Sequence, residues 1–151
     1  MSKPDSRTRD LVVNRRARFN YEISTTYEAG IALQGSEVKS LRAGLGNLQE
    51  AYVQIKANGA WLMGCHISPY LQANRNNHDP VRPRQLLLHK HEIERLRRGI
   101  NQKGMTIVPL RVYLKDRRIK IEIGLGKGKK LHDKRHSIKA REAKRDMDRR
   151  R

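Results

Sequence analysis

Apolar and polar residues alternate along much of the chain between residues 21 and 125, and this period of two is typical of half-buried β-strands. The first such segment covers residues 21–28. Two later segments, 106–114 and 118–125, place apolar residues at every second position. Each of the three is therefore predicted to form a strand that buries one face.

A hairpin is predicted over residues 51–67, where two more alternating runs follow each other closely. Asn58 and Gly59 separate the runs, and both residue types accept the positive φ angles of a two-residue turn. Counting from that turn, the core-facing residues of the returning strand are Trp61, Met63, Cys65 and Ile67.

Two short amphipathic helices are predicted between the strands. Ser36 is expected to cap the first, and Gly44 to end it. The second covers residues 89–102 and ends before Gly104. Its narrow apolar stripe consists of Ile93, Leu96 and Ile100.

Short alternating strands, turn signals and two short helices predict a mainly β fold. The expected form is a small closed antiparallel barrel of the oligonucleotide-binding (OB) type with a basic C-terminal tail. An open α+β sheet is the structural alternative. Along the chain we predict a flexible basic arm at residues 1–18, the barrel at 19–126 and the tail at 127–151.

Positive charge is spread over the whole chain, with a formal net charge of +19 and an isoelectric point near 10.8. It is densest in residues 127–151, which carry twelve Lys and Arg against four acids and few large apolar residues. Such a segment cannot bury a core, so it is predicted to be disordered when free and to bind a polyanion. A solvated tail that only adds solubility is the alternative. Because no apolar run could span a bilayer, nucleic acid is the expected partner, and a membrane is not.

The outward face of the last two predicted strands is basic and contains one aromatic residue. Its members are Arg111, Tyr113, Arg118, Lys120 and Glu122. Such a face suits RNA, because cations contact phosphates and an aromatic ring stacks on a base. Outward charge is also typical of any half-solvated strand, so the pattern alone leaves both interpretations open.

Neither a catalytic site, a cofactor site nor a metal site is predicted. The glycine-rich residues 124–130 are not followed by an apolar helix or by Ser or Thr, so they lack the features of a P-loop. Cys65 and His66 have no partner pair, and His89 and His91 would diverge on a helix. We therefore expect a protein that is not an enzyme and has no small-molecule substrate. A single cysteine and an N-terminus without an apolar targeting segment predict a cytoplasmic location.

Several ordered motifs closely resemble those of the bacterial SmpB family of SsrA-binding proteins. The resemblance covers roughly residues 12–145. The motifs are residues 27–30 (YEAG), 33–44 (LQGSEVKSLRAG), 66–70 (HISPY), 86–89 (LLLH), 126–130 (GKGKK) and 133–135 (DKR).

The resemblance implies an OB-type barrel that binds the tRNA-like domain of transfer-messenger RNA (tmRNA, the SsrA RNA). Such proteins accompany the aminoacylated RNA to stalled ribosomes and stand in for the missing anticodon arm in the decoding site, so that translation switches to the RNA's own tag-encoding frame. By motif, the tmRNA-binding positions fall on Glu28, Leu87 and Lys120, to which we add Arg111 and Tyr113 from the outward face. The ribosome-facing positions fall on Gly128, Lys129, Lys130, His132, Asp133, Lys134 and Arg135. The tail is expected to become helical on the ribosome.

Each tmRNA-binding position can also be judged from its charge and its sequence surroundings, without reference to the family. Lys120 on an outward face is an ordinary phosphate contact, whereas Glu28 is repelled by phosphate and would accept from a base edge or a 2′-hydroxyl, or hold a neighbouring Arg. A locally paired acid at a strand end is the alternative for Glu28. Leu87 lies among three leucines, which the pattern alone assigns to the core. At the level of the whole protein, a constitutive ribosomal protein and an RNA-modifying enzyme are the alternatives.

Overall fold

The computed structural model describes residues 8–70 and 77–129, together with residues 135, 138, 139, 141–143 and 145. In chain order the elements are β1 (Thr8–Val13), α1 (Ala17–Asn20), β2 (Tyr21–Ile31), α2 (Gly35–Arg42), β3 (Gly46–Asn47), β4 (Tyr52–Lys56), β5 (Gly59–Met63), β6 (His66–Ile67), β7 (Arg84–Leu87), α3 (Lys90–Ile100), β8 (Met105–Lys115) and β9 (Arg118–Gly128). Seven strands form one antiparallel sheet in the order β1-β8-β9-β2-β7-β5-β4, and β3 pairs with β6.

The large sheet is open, so the predicted closed barrel is wrong. β1 lies at one edge and β4 at the other, and within the described residues no ladder joins them. Helix α3 packs against β4, β8 and β9, with Leu96 completely buried. Gly99 allows the close approach, because a Cβ there would overlap the Leu125 side chain. The described edge strands are therefore not joined by the backbone hydrogen bonds that a barrel requires. The prediction of a mainly β fold with short helices is confirmed.

The hairpin is shifted by one residue from its predicted register. Lys56 pairs with Gly59, so the two turn residues are Ala57 and Asn58 rather than Asn58 and Gly59. Because side chains alternate along a strand, a shift of one residue moves every side chain of the returning strand to the other face. The residues of that strand that enter the core are Ala60 and Leu62. The prediction that Trp61 and Met63 face the core is therefore wrong. Beyond Gly64, whose φ is +69°, Cys65 and Ile67 are buried as predicted.

The segment before residue 19 contributes a strand to the sheet. β1 pairs with β8, and Val12 and Ala17 are buried. The side-chain amide of Asn14 donates to the Pro109 carbonyl at 2.9 Å. These contacts involve residues that we assigned to a flexible basic arm, and the division of the chain at residue 18 stays a prediction.

A buried ion pair joins α2 to β7. Arg84 Nε donates to Glu37 Oε2 at 2.5 Å, and neither side chain is exposed to solvent. Burial alone would raise the pKa of Glu37, but hydrogen bonds from Arg82, from the Gln34 backbone N–H and from Arg84 lower it. Gln34, not Ser36, is the N-cap of α2, and the Ser36 hydroxyl is instead bonded to His78. These hydrogen bonds and ion pairs hold the segment of residues 78–84 against α2.

Candidate RNA-binding site

Three residues from distant parts of the chain lie in a row across the middle of the large sheet. Gly30 on β2 pairs with Lys120 on β9 on one side and with Leu87 on β7 on the other. Glu28 precedes Gly30 by two residues and therefore points to the same face. The fold thus brings together Glu28, Leu87 and Lys120, the three positions that the family resemblance assigns to tmRNA binding.

Leu87 lies on the outside of the sheet, although the sequence pattern assigns it to the core. It is 59% exposed, whereas the neighbouring Leu86 is buried. Gly30 makes room for it, because a Cβ on Gly30 would lie only 3.2 Å from Leu87 Cβ. An exposed leucine on a polar sheet face leaves apolar area in water, and an apolar contact with a partner would remove that area.

Glu28 is held by two side chains from β8. The Tyr113 hydroxyl donates to Glu28 Oε2, and Lys115 Nζ lies 3.3 Å from Glu28 Oε1. The Tyr113 hydrogen bond is the main cause that lowers the pKa of Glu28, and Lys115 adds to it against the opposing effect of burial. Conversely, burial and the Glu28 carboxylate raise the pKa of Tyr113. Glu28 is therefore an ionised, oriented acceptor at the surface.

Tyr113 is buried beneath the surface of this face, and the Arg111 guanidinium lies over its ring. Tyr113 is only 2% exposed, and the Arg111 guanidinium lies 4.0 Å from its ring centroid. Arg111 also forms ion pairs with Asp10 at 2.6 Å and with Glu122 at 3.6 Å. The aromatic ring that we expected to stack on a base is thus covered on one side by Arg111. A direct contact of either residue with RNA stays a prediction.

The predicted ribosome-facing positions lie partly within the described residues. Gly128 ends β9, and the Lys129 backbone N–H donates to the Asn20 carbonyl at 2.8 Å. Lys130, His132, Asp133 and Lys134 lie outside the described residues. Arg135 is exposed and helical, as are residues 138, 139, 141–143 and 145. Their role on the ribosome, and disorder of the tail in the free protein, stay predictions.

The same sheet face continues past Leu87 to residues that the sequence analysis missed. Tyr52 and Trp61 are on the outside of the β4–β5 hairpin, together with Lys56. The error came from placing the turn one residue too late, which assigned Trp61 to the core. Counting the turn as Ala57 and Asn58 would have placed Trp61 on the outer face as well, where the alternation of the first strand already predicts Tyr52.

The histidine, acidic and cysteine side chains of the described part of the chain are those on which a metal site or a reactive thiol would depend. His, Cys, Asp and Glu form no group of three or more there that could hold a metal ion. Cys65 is buried, and burial raises the pKa of its thiol to about 11, which keeps it protonated at neutral pH. Among the same residues, no helix is long and apolar enough to cross a membrane.

An exposed leucine, a cation and an anchored carboxylate on one face of an open sheet, in a strongly basic chain, define a small β-sheet RNA-binding protein. A family model described as SmpB protein matches residues 11–151. The chain therefore belongs to the SmpB family, as the sequence motifs indicated.

Relatives and a solved structure agree with this assignment. The SsrA-binding protein of Symbiobacterium thermophilum is 53% identical over 150 residues, covering 99% of this chain and 95% of that protein. The SsrA-binding protein of Agrobacterium fabrum is 56% identical over 137 residues, covering 90% of this chain and 86% of that protein. A solved chain described under "tmRNA-SmpB: a journey to the center of the bacterial ribosome" matches with a TM-score of 0.68 and 46% identity, over 83% of this chain and 87% of that chain.

Proposed function

We propose that this protein binds the tRNA-like domain of tmRNA and delivers that RNA to stalled ribosomes for trans-translation. It acts as a binding protein and not as an enzyme. The observation that carries the proposal is the row of Lys120, Gly30 and Leu87 across three strands, with Glu28 beside it. A resemblance in sequence need not bring these positions together, but the fold places them on one outward face.

Each side chain of this face supplies a different kind of contact. Lys120 attracts phosphate and releases counterions when RNA binds. Leu87 offers an apolar surface on which an unpaired loop can lie. Glu28 accepts hydrogen bonds from a 2′-hydroxyl or from the amino group of a base, and its negative charge disfavours a phosphate at that place. Together they favour one arrangement of a folded RNA over non-specific binding to a polyanion.

The ribosome is engaged by the segment that leaves the sheet at Gly128. In this proposal residues 128–135 contact the decoding site, where the protein stands in for the missing anticodon arm, and the tail continues as a helix along the empty mRNA path. Ribosomes on which translation stalls are in the cytoplasm, and we place the protein there.

Sequencing the RNA that co-purifies with the tagged full-length protein tests the function. One abundant species with a tRNA-like end is expected. Bulk ribosomal RNA in proportion to ribosome number would contradict the proposal and favour a constitutive ribosomal protein. The same purification is carried out with a variant that combines Lys120→Ala and Leu87→Ala. At equal protein yield, this variant is expected to recover much less of the abundant species than the wild-type protein.

A further inference from the structure

The tmRNA-binding face extends beyond Leu87 without interruption to the edge of the sheet. Leu87 and Gln85 are two residues apart on β7 and share a face, and Gln85 pairs with Trp61 on β5. Trp61 pairs in turn with Gln54 on β4. Cross-strand partners point to the same side, so a continuous outer face runs from Lys120 on β9 to the edge strand β4.

Aromatic side chains occupy the far end of this face. Tyr52 is 47% exposed and pairs with Met63, which places it diagonally opposite Trp61. Trp61 is half-buried, and its Nε1 donates to Asn58 Oδ1 at 3.0 Å, which fixes the orientation of the indole. Lys56 Nζ lies 5.5 Å from the centroid of the indole ring. An oriented indole, a second exposed aromatic residue diagonally opposite and a neighbouring cation are the components of a base-stacking site.

We infer that Tyr52 and Trp61 form a stacking platform for unpaired bases of the same RNA that contacts Glu28, Leu87 and Lys120, an inference that rests on the proposed function. The platform supplies the exposed aromatic surface that Tyr113, only 2% exposed, does not offer. Lys56 is placed to contact the phosphate of a stacked nucleotide. Stacking accepts any base, because every base has a π-face, so the platform adds affinity without adding sequence preference.

Two observations favour RNA over a protein segment as the occupant. The platform is continuous with the face on which Lys120 lies, so an RNA bound there reaches it without leaving the sheet. Lys56, which lies over the Trp61 ring, is a cation and matches a polyanion. An aromatic pair at this position is also costly to expose unless something covers it, and an unpaired loop of the bound RNA would do so.

The emission of Trp61 tests the platform directly, because Trp61 is the single tryptophan of the chain. Full-length protein is titrated with a transcript of the tRNA-like domain while tryptophan emission is recorded, with free N-acetyltryptophanamide correcting for absorption by RNA. Anisotropy of a fluorescein-labelled copy of the same transcript measures binding separately. We expect saturable quenching whose midpoint agrees with the anisotropy curve.

The two signals separate failure of the platform from failure of the proposed function. Binding by anisotropy with unchanged tryptophan emission would overturn the platform and leave the proposed function intact. Absence of binding to the transcript would overturn both.

Substitutions at the platform give a second, independent readout. Trp61→Leu is expected to weaken binding of the transcript about tenfold, as for the loss of one stacked base, whereas Trp61→Phe, which keeps a ring, stays within about twofold. Tyr52→Leu, at a more exposed position, is expected to weaken binding severalfold even where Trp61→Leu disturbs folding. Tyr70→Leu is the matched control, because Tyr70 is outside the large sheet, beside Lys39 of α2. Undiminished affinity of folded Trp61→Leu and Tyr52→Leu proteins would overturn the inference.

Discussion

The phenolic hydroxyl of Tyr113 donates a hydrogen bond to the carboxylate of Glu28, although 85 positions separate the two residues in the chain. Tyr113 is on β8 and Glu28 is on β2, and β9 lies between these strands. The bond therefore crosses an entire strand and fixes the acidic group that lies beside Lys120 and Leu87. A carboxylate on an RNA-binding face is useful only when it is oriented, because a mobile one would simply repel phosphate.

Tyr113→Phe removes this hydrogen bond and keeps the ring. We expect affinity for the tRNA-like transcript to fall about fivefold and the free energy of unfolding to fall by about 1 kcal/mol. The pKa of Glu28 should rise, because the Tyr113 hydrogen bond is the main cause that lowers it; carbon-detected NMR titration of Glu28 measures this shift. Tyr27→Phe, on the other face of β2, is the control. An unchanged Glu28 titration would contradict the positioning role.

Gly30→Ala tests whether Leu87 needs the space above the glycine. The new Cβ would lie 3.2 Å from Leu87 Cβ and push the leucine aside by a few tenths of an ångström, so transcript affinity should fall by less than the about fivefold expected for Leu87→Ala. In a Leu87→Ala background the same substitution should have almost no further effect, and this coupling is measured as a double-mutant cycle. Gly35→Ala is the matched control, because no atom lies within 4 Å of its added Cβ. Additive losses would show that Gly30 acts independently of Leu87.

Lys120→Ala tests the phosphate contact. The slope of log Kd against log salt concentration should decrease by about one unit, because one phosphate contact and its released counterion are lost. Lys103→Ala removes an exposed lysine after α3 and should leave the slope unchanged. Equal slopes for the wild-type and Lys120→Ala proteins would place Lys120 outside the interface.

Arg84→Met removes the fully buried ion-pair partner of Glu37 and leaves it paired with the partly exposed Arg82. We expect the free energy of unfolding, measured in urea, to fall by about 3–5 kcal/mol. Arg97→Met breaks an exposed pair with Glu94 one helical turn away and should cost about 0.5 kcal/mol or less. Similar losses for the two variants would mean that burial does not dominate the energetics of the Glu37 pair.

Truncation after Lys129 separates the two proposed RNA contacts. The cut spares β9 and the hydrogen bond from Lys129 to Asn20, so the sheet should remain folded and bind the transcript with little change. Tagging on stalled ribosomes should be lost, because the ribosome-facing residues from Lys130 onward are absent. Normal tagging by the truncated protein, measured in a reconstituted translation system, would contradict the proposed role of the tail.

Local elements of the fold were predictable, because their signals lie within a few neighbouring residues. The apolar stripe and the glycine after it indicated α3, whose Leu96 is buried and whose last helical residue precedes Gly104. The hairpin was predicted in the right place, yet one residue of error in the turn reversed the faces of Trp61 and Met63. Asn58 and Gly59 both accept turn conformations, so their presence alone does not decide whether the turn is Ala57-Asn58 or Asn58-Gly59.

Closure of the sheet was not predictable from the pattern. Alternation indicates which side of a strand is buried but not which edges pair, and in the described residues the edge strands β1 and β4 do not pair with each other although β4 lies against β8. Tyr113 illustrates the same difficulty at the site. Its alternation with Arg111 suggested a free outward ring, whereas packing under the Arg111 guanidinium leaves it almost wholly buried.

The amino-acid order alone was sufficient for the long strands β2, β4, β5, β8 and β9, though not for β1 or β7. It was also sufficient for the basic character of the chain and, through its motifs, for the family, because these depend on composition or short-range spacing. The folded chain was needed to join Glu28 to Tyr113, to expose Leu87 over Gly30 and to extend the same face to Trp61. Those relationships depend on which strands become neighbours and in what register, and both are chosen by packing of the whole sheet and α3 at once.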